Sequence, residues 1–150
     1  MSILNRLLSF GRSRRLVFAV ATLTVAGCTT SSSPTSPSVP FTQTDLIIGS
    51  GAAAAAGQRL TVNYTGWLYD ATRTEQKGSQ FDTSIGRGPY AFTLGVGTVI
   101  RGWDQGLVGM RVGGRRRLVI PPELGYGSSG SGAIPGNASL VFDIDLLSAQ

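Results

Sequence analysis

Histidine is absent from this 150-residue chain, cysteine occurs once, at Cys28, and charged residues make up only 14%. Without His, Ser-His-Asp and Cys-His catalysis are excluded, and a single Cys excludes the common Cys/His zinc patterns. Two glycine-rich stretches lack the residues that would give them chemistry. Residues 49–57 have no Gly-Lys-Ser/Thr ending, so they are not a phosphate loop, and residues 125–132 contain no Gly-x-Ser-x-Gly elbow. The mostly apolar segment 16–27 has twelve residues, too few to span a bilayer as a helix. Acidic residues are missing before Asp45. Against these absences, 41% of the residues are hydrophobic, which is enough for a packed core, and the length fits one domain plus tails.

Four of the thirteen basic residues, Arg6, Arg12, Arg14 and Arg15, fall in the first fifteen positions, ahead of the apolar segment. That order, charge and then a short apolar run, is the layout of a secretory signal peptide. The run ends in Val25-Ala26-Gly27-Cys28, which resembles the bacterial lipobox. The resemblance implies cleavage before Cys28 and a lipid on its sulfur, with Thr29 rather than Asp next to it pointing to an outer membrane in a two-membrane bacterium. Ser13-Arg14-Arg15 resembles a twin-arginine export signal, although Val17 stands where that motif favours Phe, so both export routes stay open. Residues 29–40 are all Ser, Thr or Pro except Val39. Such a stretch cannot bury enough apolar surface to offset chain entropy and reads as an extended tether. The expected organisation is a signal peptide (1–27), a lipidated tether (28–42) and a folded domain (43–150).

The formal charge of +5 suggests a nucleic-acid partner, but removal of the leader's four arginines leaves nine Lys/Arg against eight Asp/Glu. A net charge near one does not support that partner. The remaining basic run, Arg115-Arg116-Arg117, reads as the solvated face of a strand.

Within the domain the apolar period is two. Leu60, Val62 and Tyr64 alternate with Thr61, Asn63 and Thr65; Leu140, Phe142, Ile144 and Leu146 alternate with Val141, Asp143 and Asp145. Both segments predict strands with one wet face. Residues 45–49, 90–94 and 114–120 are further strand candidates. Residues 99–108 are the best helix candidate, with Trp103 and Leu107 four apart on one face. The alanines at 52–56 are too few to offset helix nucleation and predict a loop or single turn. One helix on a curved antiparallel sheet is an α+β layout.

An aromatic and apolar set stands out: Tyr64, Phe81, Tyr90, Phe92, Val99, Ile100, Trp103, Tyr126, Ile134 and Phe142, with Asp82. These residues can be plain core. A small sheet with one helix needs few aromatics, however, and the tyrosine hydroxyls need partners or water, so an apolar pocket with a polar rim accommodates the set better.

Over roughly residues 44–148 the chain resembles the FKBP-type peptidyl-prolyl cis-trans isomerases. The matching strings include Val62-Asn63-Tyr64-Thr65-Gly66-Trp67-Leu68, Phe81-Asp82-Thr83-Ser84, Val99-Ile100-Arg101-Gly102-Trp103-Asp104-Gln105-Gly106-Leu107, Ile120-Pro121-Pro122-Glu123-Leu124-Gly125-Tyr126-Gly127 and Leu140-Val141-Phe142-Asp143. The resemblance implies a twisted antiparallel sheet wrapped around one short helix. By position it assigns Tyr64, Phe81, Asp82, Tyr126 and Phe142 to catalysis, and Tyr90, Val99, Ile100, Trp103 and Ile134 to substrate binding. Trp103 would form the pocket floor, and the Ile100 N–H and Tyr126 hydroxyl would hold ligand carbonyls.

No cofactor or metal is implied. The implied ligands are proline-containing polypeptides and macrolides of the rapamycin and tacrolimus type; the chain would act as a monomer on exported proteins in the bacterial cell envelope. Two departures stand out: residues 70–80 are longer than in the minimal domain, and the flap after Tyr126 is shorter, with Ser131 near a usual His and Ala133 replacing a larger aliphatic residue. The competing reading is an envelope chaperone or binding module that uses the same pocket without turnover.

Overall fold

A computed structural model describes residues 39–150; the leader, Cys28 and most of the expected tether lie outside the described residues. Along the chain come β1 (Thr42–Ile47), β2 (Arg59–Tyr69), β3 (Lys77–Thr83), β4 (Tyr90–Thr93), α1 (Arg101–Gly106), β5 (Arg115–Ile120) and β6 (Leu140–Ala149). The sheet order is β1-β5-β6-β2-β3, and β4 pairs with β2 as well. Every pairing is antiparallel. This is the α+β layout of a six-stranded sheet with one short helix.

The period-two segments form the two central strands. In β2, Leu60 and Val62 are fully buried between half-exposed Thr61 and Asn63; in β6, Leu140, Phe142, Ile144 and Leu146 turn into the core. Val141, expected on the wet face, is instead fully buried. It sits in register between Trp67 of β2 and Val119 of β5, whose side chains share its face and shield it. β2 is long enough to take two partners on one side: Arg59–Val62 pair with β4 and Thr65–Tyr69 with β3. The break between those partners falls opposite Tyr64.

α1 has only six residues, far below the length at which a helix persists alone, so packing must hold it. Gly102 and Gly106 permit that packing: a Cβ on either would lie 2.7 Å from Ile120 or 2.6 Å from Leu118. The helix therefore lies close on β5, with Trp103 and Leu107 in the core.

Other expectations need correction. The Arg115–Arg117 run is solvated only at Arg115. Arg115 pairs with Asp145, Arg117 with Asp143 and Glu75, and Arg116 is buried and paired with Asp45. β1 opens at Thr42, and Phe41 packs on the core. β3 was not expected, because Lys77-Gly78-Ser79-Gln80 shows no apolar alternation. The 52–56 alanines do form a loop, pinned by the Ala53–Arg111 bridge and by Ala54 N–H donating to the Met110 carbonyl at 2.8 Å.

Candidate active site

A cavity of about 360 Å³ opens between α1, the strands and the loop before Tyr126. Tyr64 from β2, Phe81 and Asp82 from β3, Tyr90 from β4 and Phe142 from β6 line it, together with Gly97, Thr98, Val99, Ile100, Trp103 and Tyr126. All but one of the catalytic and substrate-binding residues expected from sequence thus converge. Ile134 is the exception: it does not line the cavity but is buried in the core, where its N–H and carbonyl both bond Ser131. The tight Ser131–Ile134 turn in the short flap draws it inward.

Trp103 is almost wholly buried and is ringed by aromatics. Its ring centroid lies 5.1 Å from Tyr64, 5.3 Å from Phe142, 5.6 Å from Phe92 and 6.4 Å from Tyr90. The Tyr64 and Phe142 contacts are edge-to-face, as is Phe81 on Phe142, the geometry favoured by ring quadrupoles. Each ring thus braces the next around the open cavity.

On the rim, the Tyr64 hydroxyl donates to Asp82 Oδ2 at 2.6 Å, and the Thr83 N–H donates to Oδ1 at 2.9 Å. Arg87 also donates to Asp82. Burial pushes the Asp82 carboxyl up, but the bonds from Tyr64, Arg87 and Thr83 together outweigh it and hold the pKa below the ordinary value. The Tyr64 hydroxyl moves the other way, up to about 12, through burial and then its bond to the Asp82 anion. Burial, with the charge of Asp82, also raises Tyr126.

Among the described residues several hydrogen-bond donors at the cavity have no partner, the Tyr90 hydroxyl among them. Among the described residues, neither the Tyr126 hydroxyl nor the Ile100 N–H at the start of α1 has a partner. The Trp103 indole N–H is likewise without an acceptor. Among the described residues no cluster of His, Cys, Asp or Glu is suited to a metal. An aromatic-lined cavity with free neutral donors and one paired carboxylate can desolvate and orient a peptide group.

Sequence reasoning missed several participants. Gly97 and Thr98 line the cavity through a loop that has no periodic signal. Ser84, fully buried, accepts the Tyr64 N–H on its hydroxyl at 2.9 Å and returns its own N–H to the Tyr64 carbonyl at 3.0 Å. It closes the gap between β3 and β4 at the point where Tyr64 must be held. Arg87 neutralises Asp82 across five residues of turn, a spacing that no helix or strand pattern marks.

Residues 51–147 match the family model described as FKBP-type peptidyl-prolyl cis-trans isomerase. The chain is 48% identical over 105 residues to FK506-binding protein 1 of Gibberella zeae, covering 69% of this chain and 93% of that protein. It is 49% identical over 105 residues to the FK506-binding protein of Neisseria meningitidis serogroup B, covering 69% and 90%. Among solved structures, it is similar to AtFKBP13, with a TM-score of 0.63 and 37% identity over 73% of this chain and 93% of that one. It is also similar to FkpA from Escherichia coli, with a TM-score of 0.64 and 40% identity over 73% of this chain and 48% of that one.

Proposed function

This chain belongs to the family of FKBP-type peptidyl-prolyl cis-trans isomerases, and we propose that it works as a lipid-anchored isomerase of X-Pro bonds in exported polypeptides of a bacterial envelope. The observation that carries the catalytic part is the aromatic-lined cavity over Trp103, with the free Ile100 N–H and Tyr126 hydroxyl at its edge. Amide resonance sets a barrier of about 18–20 kcal/mol, and unaided X-Pro bonds take tens to hundreds of seconds to cross it.

In the twisted transition state the C–N bond loses double-bond character and its dipole shrinks. Transfer from water into the cavity therefore penalises the planar amide more than the twisted one. The proline ring packs on Trp103 between Tyr64 and Phe142, while the Ile100 and Tyr126 donors hold flanking carbonyls and fix the chain about the rotating bond. Each gain of about 1.4 kcal/mol specific to the twisted state is tenfold in rate. No proton transfer is required.

The anchoring part rests on the charged leader, the apolar run and the lipobox-like Val25-Ala26-Gly27-Cys28, with the Ser/Thr/Pro stretch as spacer. Proline-containing polypeptides are the substrates, and macrolides of the FK506 type compete for the same cavity.

The test is cis/trans exchange of a Leu-Pro or Phe-Pro peptide with the purified protein. Acceleration abolished by a macrolide is the expected result; a folded protein without acceleration would replace this reading by the binding-module one. For location, Cys28→Ala in a bacterial host should give uncleaved precursor or soluble protein and lose fatty-acid label. Unchanged labelling and membrane retention would overturn the anchor.

A further inference from the structure

Asp104 stands on α1 directly after Trp103 but does not line the cavity. Its carboxylate reaches back to the preceding loop. Oδ1 accepts the Gly95 N–H at 2.7 Å and Oδ2 accepts the Gly97 N–H at 2.9 Å. Both glycines have positive φ, 80° and 76°, so the loop turns sharply there and aims its amides at the helix. The Thr98 hydroxyl closes the loop's base by donating to the Thr93 carbonyl at 3.1 Å. Gly97, Thr98 and Val99, the residues this arrangement fixes, form one wall of the cavity.

Glycine segments lose the most conformational freedom on ordering, and left to themselves these two would sample many loop shapes. A carboxylate accepting two backbone N–H groups makes charge-assisted bonds of about twice the neutral strength. One helical turn therefore carries both the floor, through Trp103, and the fastening of the wall, through Asp104.

We propose that Asp104 is a positioning residue for substrate binding: it sets the spacing between the Gly97–Val99 wall and the Trp103 floor without touching the substrate. The proposal rests on the isomerase reading. The wall meets planar and twisted substrate alike, so loosening it weakens both states equally and appears in KM rather than kcat.

The experiment compares the full-length protein with Asp104→Ala, Asp104→Asn and Asp104→Glu. Exchange-lineshape kinetics on an X-Pro peptide give kcat and KM, a titration of the same peptide gives its Kd, and hydrogen exchange is read at the Gly95 and Gly97 amides. Expected is a rise of about tenfold in KM and Kd for Asp104→Ala with kcat within about twofold, faster exchange confined to the loop, and a smaller change for Asp104→Asn, which keeps one acceptor oxygen. Asp104→Glu, which keeps the carboxylate on a longer arm, should recover most of the affinity.

Unchanged KM and Kd with loop amides exposed would overturn the proposal. So would losses that track a general rise in exchange across β2 and β6. If the wild-type protein gives no acceleration, the isomerase reading fails on its own. The positioning role is then still decided by the peptide Kd and the two amides.

Discussion

Arg116 Nη1 donates to the Gly106 carbonyl, 2.8 Å away, joining the second residue of β5 to the last residue of α1. The same nitrogen reaches the Val108 carbonyl at 3.2 Å, while Nε and Nη2 clasp the Asp45 carboxylate at 2.6 and 3.1 Å. Carbonyls at a helix C-terminus have no partners within the helix and carry the negative end of its dipole, so a cation there satisfies both. For a helix of six residues the clamp adds to the packing on β5. It ties β1, β5 and α1 together and thereby fixes the helix that carries Trp103.

Arg116→Met should therefore destabilise the fold by about 1–3 kcal/mol, because the buried Gly106 carbonyl is left unpaired while the aliphatic packing is kept. A lower urea midpoint with kcat/KM nearly unchanged below the transition is the expected pattern. Arg116 touches no cavity residue other than through the helix, so a large activity loss in the still-folded variant would contradict the clamp.

Asp143 occupies a similar position on the opposite face. It accepts Arg117 at 2.7 and 2.9 Å and Lys77 at 2.7 Å, and all three side chains are largely buried. Burial raises its pKa, but the bonds from Arg117 and Lys77 outweigh that and hold it below the ordinary value. Such a carboxylate stabilises the fold fully above the unfolded value, near pH 4, and loses that contribution as pH falls through the folded one. Asp143→Asn should cost about 1.5–3 kcal/mol near neutrality and flatten the fall in stability below about pH 4. Urea titrations from acid to neutral pH read both effects.

These ion pairs explain where sequence reading stopped. β2 and β6 were legible because one face of each is buried, which forces a period of two. Arg116 and Asp45 lie 71 residues apart, and nothing local marks them as partners, so a run of three arginines on a strand reads as solvated. β3 was illegible for a related reason: it is an edge strand whose pairing with β2 is interrupted by two register shifts, so it needs no regular apolar face. The aromatic set could be picked out as a pocket by the excess of rings and hydroxyls over core needs. Its rear fastenings, Ser84, Arg87 and Asp104, act through backbone and turn geometry. Ile134 could not be placed from sequence because an aliphatic residue on the flap reads the same whether it faces the cavity or the core.

Gly66 offers a test of wall rigidity. A Cβ there would lie 2.7 Å from both the Phe142 and Phe81 rings, closer than any relaxed contact. Gly66→Ala should push these two walls into the cavity, cost about 1–3 kcal/mol of stability and lower kcat/KM by about tenfold or more. Ring-proton shifts of Phe81 and Phe142 would report the movement, and unchanged kinetics would show that the walls yield freely.

The pH dependence of turnover discriminates between a conformational and a proton-transfer mechanism. The pocket's displaced groups all move away from neutrality: Asp82 down, held by Tyr64, Arg87 and Thr83 against its burial, and Tyr64 and Tyr126 up. The chain has no His, the side chain whose ordinary pKa would place a titration between about pH 5 and 8. For an uncharged X-Pro peptide, kcat/KM should then be flat across that window.

An acid limb should begin only below about pH 4, where Asp82 takes up a proton and loosens its hold on the Tyr64 hydroxyl. Asp82→Asn should remove that limb. Tyr64→Phe should leave the plateau flat while lowering it by about tenfold or less, since the ring contact with Trp103 survives and only the rim bond is lost. A bell-shaped profile that persists in Asp82→Asn would mean that a proton is moved in the transition state by a group outside this pocket, and the desolvation mechanism would fall.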